Sequence, residues 1–85
     1  MRFPTMQKLF FHLSECGASV LDEEGVEVGD LSQARLRALR EARQIMGADV
    51  AAGKLCLDCH IFVTDDRGAT LLVVPFREAL EIRGS

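Results

Sequence analysis

Two cysteines and a histidine lie close together in the segment Cys56-Leu57-Asp58-Cys59-His60. This C-x-x-C-H spacing matches covalent haem c attachment, in which two thiols bond the vinyl groups and the histidine ligates the iron. Attachment takes place outside the reducing cytosol, and the N-terminal residues do not have the pattern of an export signal. The motif also runs directly into a predicted β-strand, where successive side chains point to opposite faces. The sequence therefore favours a loop that leads into a strand, and we expect no cofactor.

The same residues could also bind zinc or form a redox pair. Cys56, Cys59 and His60 could supply three zinc ligands, with His12 or Cys16 as the fourth. A tetrahedral structural site usually combines two ligand pairs at short spacing, and only one such pair is visible. A redox C-x-x-C is expected at a helix N-terminus, where the dipole lowers the pKa of a thiol, whereas this one precedes a strand. We therefore expect no metal and no redox site, and these residues are the candidates if either exists.

Two acidic clusters and a group of arginines are the other charged features that could carry chemistry. The clusters Asp22-Glu23-Glu24 and Asp65-Asp66 each adjoin a glycine in a turn-like context, so we interpret them as solvated turn residues. The arginines point several ways around one predicted helix and indicate a solvated helix face; they are Arg35, Arg37, Arg40 and Arg43. No phosphate-binding glycine loop and no nucleophile elbow is present, so we expect no catalysis.

The composition is that of one small globular domain spanning residues 1–85. The chain has 85 residues, of which 48% are hydrophobic. A chain of this size buries only about 60–65% of the surface that its unfolded form exposes, so association would help to stabilise it. The net charge of −3 argues against a nucleic-acid partner or a membrane surface. Three cysteines are a poor disulfide framework, which favours a cytoplasmic location.

One amphipathic helix is predicted over residues 30–52. Asp30 is a good N-cap, Gln33 three residues later completes a capping-box pattern, and Gly53 is suited to end the helix. Its apolar residues recur at helical spacing and form one broad stripe; they are Leu31, Ala34, Ala38, Leu39, Ala42, Ile45, Met46 and Val50.

Two β-hairpins are predicted, one before this helix and one after it. Residues 1–6 are interpreted as a loose lead-in, and residues 76–82 as a short C-terminal helix. The predicted strands span residues 7–14, 18–22, 26–28, 59–64 and 70–74. The sequence thus predicts an α+β fold, a two-layer sandwich in ββαββ order whose antiparallel sheet is packed by one helix.

The second face of this sheet is predicted to be apolar and uncovered. A single helix lies on one side of a sheet and is about two strands wide. It therefore leaves the other face of the sheet unshielded. We predict that the uncovered face carries Phe10, His12, His60, Phe62, Leu72 and Val74. Apolar patches of this kind usually mark interfaces, so we expect a homodimer or another protein partner there. The alternative is that residues 76–82 fold back over this face.

Several short motifs carry a resemblance to a known family. They are Phe10-Phe11-His12, Asp22-Glu23-Glu24-Gly25-Val26-Glu27, Asp30-Leu31, Val63-Thr64-Asp65-Asp66-Arg67-Gly68 and Val74-Pro75-Phe76-Arg77-Glu78-Ala79-Leu80. In order and spacing the chain resembles a family of small alphaproteobacterial proteins of unknown function. The resemblance covers nearly the whole chain and implies this fold and a bacterial cytoplasmic setting. The family has no established activity, so the resemblance implies no chemistry.

The sequence therefore predicts a small cytoplasmic binding or assembly module without catalysis. Two alternatives from other functional classes stay open. The Ala-, Glu- and Arg-rich helix after β-strands is similar in pattern to HicB-type antitoxins, which implies a partner-binding regulatory protein; fold analogy alone is weak support for function. The other alternative is a metal-binding or redox protein that uses Cys56, Cys59 and His60.

Overall fold

One helix packs on one antiparallel sheet, as the computed structural model of residues 2–15 and 18–80 shows. The elements are β1 (Arg2–Glu15), β2 (Ala18–Val20), β3 (Val26–Asp30), α1 (Leu31–Ala51), β4 (His60–Thr64), β5 (Thr70–Pro75) and a 3-10 turn (Phe76–Ala79). The predicted α+β architecture, one helix on an antiparallel sheet, is confirmed, but the element order is βββαββ and not ββαββ, because the first half contributes three strands.

Strand β1 is the centre of the sheet. Its C-terminal part pairs with β2 and with β4, and its N-terminal part pairs with β3, so the strand order is β2-β1-β4-β5 with β3 also on β1. The predicted loose lead-in over residues 1–6 is wrong for residues 2–6, which belong to β1. Arg2 pairs with Asp30, a partner far along the chain, so local sequence gives no sign of this strand.

Helix α1 begins and ends close to where its capping residues predict. The side chain of Asp30 accepts a hydrogen bond of 2.7 Å from the backbone N–H of Gln33, which confirms the N-cap. The return bond of the predicted capping box goes one residue further back, because Gln33 Oε1 accepts from the N–H of Gly29 at 2.8 Å. Gly53 follows the helix with a φ of 84°, a value that a residue with a side chain rarely adopts.

Helix α1 lies close to the sheet because its buried stripe is made of small residues. Three alanines and one methionine of the helix are buried; they are Ala34, Ala38, Ala42 and Met46. The largest fully buried side chains are Phe76, Leu9, Ile61, Val63 and Val74. The sheet therefore supplies the bulky side chains of the core, and the helix supplies a shallow surface against which they pack.

The register of β5 corrects the predicted position of two interface candidates. Ile61 pairs with Val74 and Val63 pairs with Leu72, and directly paired residues share one face of a sheet. Leu72 and Val74 therefore lie on the face that α1 covers, and Val74 is completely buried. The prediction failed because β5 is apolar at every position from 71 to 74, so alternation alone does not show which side faces the helix. Val73 lies on the opposite face.

The C-terminal segment packs beside α1. Residues 76–79 form a 3-10 turn where a helix over residues 76–82 was predicted; residues 81 and 82 lie outside the described part of the chain. Phe76 and Ala79 are buried in the core between helix and sheet. The alternative in which this segment folds back over the other face is therefore wrong for residues 76–80.

Enlarging a buried alanine of α1 should destabilise the protein. Ala38→Leu inserts extra methylenes where helix and sheet are already in contact, so we expect the free energy of unfolding to fall by about 1–3 kcal/mol. Ala48→Leu is the matched control, because Ala48 is an exposed alanine of the same helix and should change stability by less than about 0.5 kcal/mol. Urea unfolding measures both, and equal effects would contradict the close helix–sheet contact.

Candidate functional site

The face of the sheet opposite α1 gathers the aromatic residues that the sequence analysis placed there. His12 pairs with Phe62, and Phe62 pairs in turn with Val73. Phe10 lies two residues before His12 on β1, and His60 two residues before Phe62 on β4, so all five side chains share this face. We call Phe10, His12, His60, Phe62 and Val73 the open face.

The rings of the open face form a continuous row. The ring centroids of Phe10 and His12 lie 6.4 Å apart with nearly parallel planes, at 11°. His12 and Phe62 lie 4.8 Å apart, and Phe62 and His60 lie 6.1 Å apart. These four residues are half-buried, whereas 51% of Val73 is exposed. The row is a polarisable, apolar surface that can pack against another such surface.

Both ring nitrogens of His12 form hydrogen bonds with other residues of the protein. Its Nδ1 lies 3.0 Å from the backbone nitrogen of Asp22, and that nitrogen can only donate. Nδ1 therefore accepts and carries no proton, which assigns the proton to Nε2. Nε2 then donates to the hydroxyl oxygen of Thr64 at 2.8 Å. Because Thr64 is buried, the bond fixes the ring against β4.

The side chain of Asp22 takes the place of a strand partner between β2 and β3. Its carboxylate accepts hydrogen bonds from the N–H of Phe11 on β1 at 3.1 Å and from the N–H groups of Glu24 and Gly25. Desolvation, the largest single influence, raises the pKa of Asp22, but these three donors and the charge of His12 together lower it below its usual value of 3.8. The interpretation of Asp22 as a solvated turn residue is thus corrected.

Cys56 and Cys59 line one common cavity, whereas His60 lies on the opposite face of the sheet. Cys59 is buried in the core with the helix-facing residues, whereas the next residue, His60, lies on the open face. Cys56 is half-buried in the preceding loop. Within residues 2–15 and 18–80, no group of three or more His, Cys, Asp or Glu side chains is placed to hold a metal ion. Cys16 lies outside the described residues.

Several other charged residues have structural partners. Asp65 Oδ1 accepts from the N–H groups of Arg67 and Ala69 and so closes the β4–β5 turn. Two helix arginines reach the C-terminal segment: Arg35 forms a 3.0 Å ion pair with Glu78, and Arg43 Nε donates to the carbonyl oxygen of Ala79 at 2.8 Å. Both arginines remain exposed, as expected for a solvated helix face, and they also contact the 3-10 turn.

A comparison with models of protein families identifies the family of the chain. A family model described as a domain of unknown function, DUF6894, matches residues 8–77. The chain belongs to the DUF6894 family. The match spans the open face and the contacts of His12 with Asp22 and Thr64. No curated protein and no solved structure matches this DUF6894 chain. Within the described residues, none of the helices has the length and apolar character needed to cross a membrane.

The sequence did not predict that Asp22, Thr64 and Val73 belong to this candidate site. For Asp22 a signal was available, because an aspartate a few residues before a glycine is typical of a turn closed by the side chain. No local signal could have found Thr64, which lies 52 residues from His12 in sequence. Val73 could be found only with the register of β5.

Removing the charge of Asp22 should cost stability at neutral pH. In Asp22→Asn the amide NH₂ would face the N–H of Phe11, so one hydrogen bond is lost and we expect a loss of about 1–2 kcal/mol near pH 7. The control is Glu23→Gln, which removes the same charge from the exposed neighbour, whose side chain makes no hydrogen bond within the described residues. Urea unfolding of both variants measures the difference.

The same pair of variants tests the direction of the pKa shift of Asp22. Because folding lowers this pKa, its contribution to stability is fully present above 3.8 and is lost as the pH falls through the lower folded value. The gap between wild type and Asp22→Asn should therefore narrow below about pH 4. A gap that stays constant down to about pH 2 would contradict the carboxylate bonds described above.

Proposed function

We propose that this DUF6894 protein is a small cytoplasmic assembly module, without catalysis of its own, that forms a homodimer through its open face. The observation that carries the proposal is the row of four rings and one exposed valine on the face of the sheet that α1 does not cover. Removal of such an apolar surface from water lowers the free energy, which favours the binding of a partner.

Neither α1 nor the described C-terminal segment covers the open face. Helix α1 lies on the other side of the sheet, and Phe76 and Ala79 turn the C-terminal segment toward that helix. The rings are half-buried by one another and by the turn beside β1, where Phe10 packs near Gly25 and His12 bonds to Asp22. In antiparallel sheets one face often stays solvated, but that face is then typically polar, whereas here it is aromatic.

A second copy of the chain is the partner that fits the charge distribution. The protein carries a net charge of −3, so two copies repel unless the contact surface itself is uncharged. The five residues of the open face have no charge when the histidines are neutral, and the adjoining Lys8, on the same side of β1, pairs with the opposite charge of Glu27 on β3. Face-to-face sheet packing at a separation of about 10 Å would interdigitate the rings of two copies around a two-fold axis. Aromatic side chains are enriched in such interfaces.

A charge placed on the open face should dissociate this dimer. Val73→Lys introduces an ammonium group beside Phe62 on each copy, and we expect the particle mass to fall from about twice the chain mass of 9.4 kDa to that of a single chain. The matched control is Val20→Lys. Val20 is also a strand valine, 60% exposed, but it pairs with Leu13 on the helix side of the sheet. Sedimentation velocity measures both.

Circular dichroism should show both variants folded, since each changes an exposed side chain. A wild-type protein that is monomeric at micromolar concentration would overturn the proposal. Dissociation by Val20→Lys and not by Val73→Lys would instead place the contact on the helix side. A dimer that neither substitution disturbs would exclude both faces.

A further inference from the structure

His12 joins the open face to the turn that precedes β3, because its two ring nitrogens bond to Asp22 and to Thr64. From this geometry we infer that self-association is controlled by pH: the dimer requires neutral His12, and a proton taken up by its Nδ1 dissociates the two copies. This regulation rests on the proposed function, since it acts on the same surface.

The first step is the loss of one hydrogen bond. In the neutral ring, Nδ1 accepts from the backbone N–H of Asp22 at 3.0 Å. A protonated Nδ1 carries a hydrogen of its own and has no lone pair left to accept. Two N–H groups would then face each other at that distance, so the ring and the backbone at Asp22 must move apart.

The second step is the loosening of the turn. The carboxylate of Asp22 holds the N–H of Phe11 on β1 and the N–H groups of Glu24 and Gly25 inside the turn. When the backbone of Asp22 moves away from His12, these bonds to its side chain are strained as well. The turn and the adjoining part of the open face therefore respond together to a single proton.

The third step is the charge that the proton brings to the interface. His12 lies 4.8 Å from Phe62 and 6.4 Å from Phe10, ring to ring. In a two-fold contact the same surface meets itself, so each added charge approaches the equivalent charge of the other copy. Like charges brought together in a desolvated contact oppose association strongly. Proton uptake thus weakens the dimer both through the turn and through direct repulsion.

Few charged or titratable groups of the described chain surround His12. The turn contributes the carboxylate of Asp22, together with the exposed Glu23 and Glu24. Strand β4 contributes His60, on the far side of Phe62. Strand β1 contributes Lys8, which lies on the same side of the strand as Phe10 and His12, packs against Gly25 of the turn and pairs with Glu27 of β3. Strand β5 contributes no ionisable residue. The Asp22 carboxylate already accepts three N–H groups, so a bond from a protonated Nδ1 to its oxygens would distort the bonds that hold the turn.

Sedimentation velocity at about pH 7.5 and about pH 5.5 tests the inference, since histidine is the side chain that ordinarily changes charge in this range. We expect the dissociation constant of the wild-type dimer to rise about tenfold or more at the lower pH. His12→Asn places an amide oxygen where Nδ1 accepts but does not titrate. His60 also lies on the open face and would add charge to it when protonated, so the decisive variant carries both His12→Asn and His60→Asn, and its dissociation constant should not follow pH. His60→Asn is the matched control, which removes the other histidine of the same face and should keep the pH dependence.

A ¹⁵N NMR titration of the wild type gives a second readout that does not need a variant to fold. The backbone amide signal of Asp22 should shift together with the Nδ1 signal of His12. An Asp22 amide that stays constant while His12 titrates would overturn the inference, as would a pH dependence that is lost in His60→Asn alone or that survives in the variant carrying both substitutions. A dimer equally stable at both pH values would overturn the inference and leave the proposed function standing. A monomer at both would overturn the proposed function, and the inference with it.

Discussion

A single helix can cover only one face of this sheet, and the rest of the structure depends on that constraint. An α-helix is about 10–12 Å across with its side chains, whereas neighbouring strands lie about 4.8 Å apart. The alanine stripe of α1 brings the helix close to β1 and β4 and completes the core on that side. The sheet must therefore present its other face to solvent or to a partner, and the rings of the open face favour a partner.

The long strand β1 connects the two sides of this arrangement. Within residues 9–12, alternate side chains point to opposite faces of the sheet. Leu9 and Phe11 are buried under α1, whereas Phe10 and His12 lie on the open face. The same stretch is tied at its edge by the carboxylate of Asp22, which binds the N–H of Phe11. Core, turn and open face thus share a few consecutive residues, so a change at His12 reaches all three.

The features that the sequence predicted well are those set by local chemistry. Asp30 caps the helix, Gly53 ends it and Asp65–Gly68 turns the second hairpin, because each needs only residues a few positions away. The failures involve distant pairing. Residues 2–6 lack a strand signal, yet they belong to β1, and Arg2 pairs with Asp30 of β3. The side on which Leu72 and Val74 lie depends on a register with an irregularity near Val63. The partners of His12 are also distant in sequence. The sequence therefore predicted the rings of the site but not the hydrogen bonds of His12 to Thr64 and Asp22.

The central claim is that a second copy of the chain covers the open face. The most direct test is an isotope-filtered NOE experiment on a sample that mixes ¹³C-labelled and unlabelled chains at micromolar to millimolar concentration near neutral pH. The account predicts contacts between copies that join the rings of Phe10 and Phe62 to the methyl groups of Val73. Contacts between copies that arise only from residues of α1 or β2, or none at all, would contradict it.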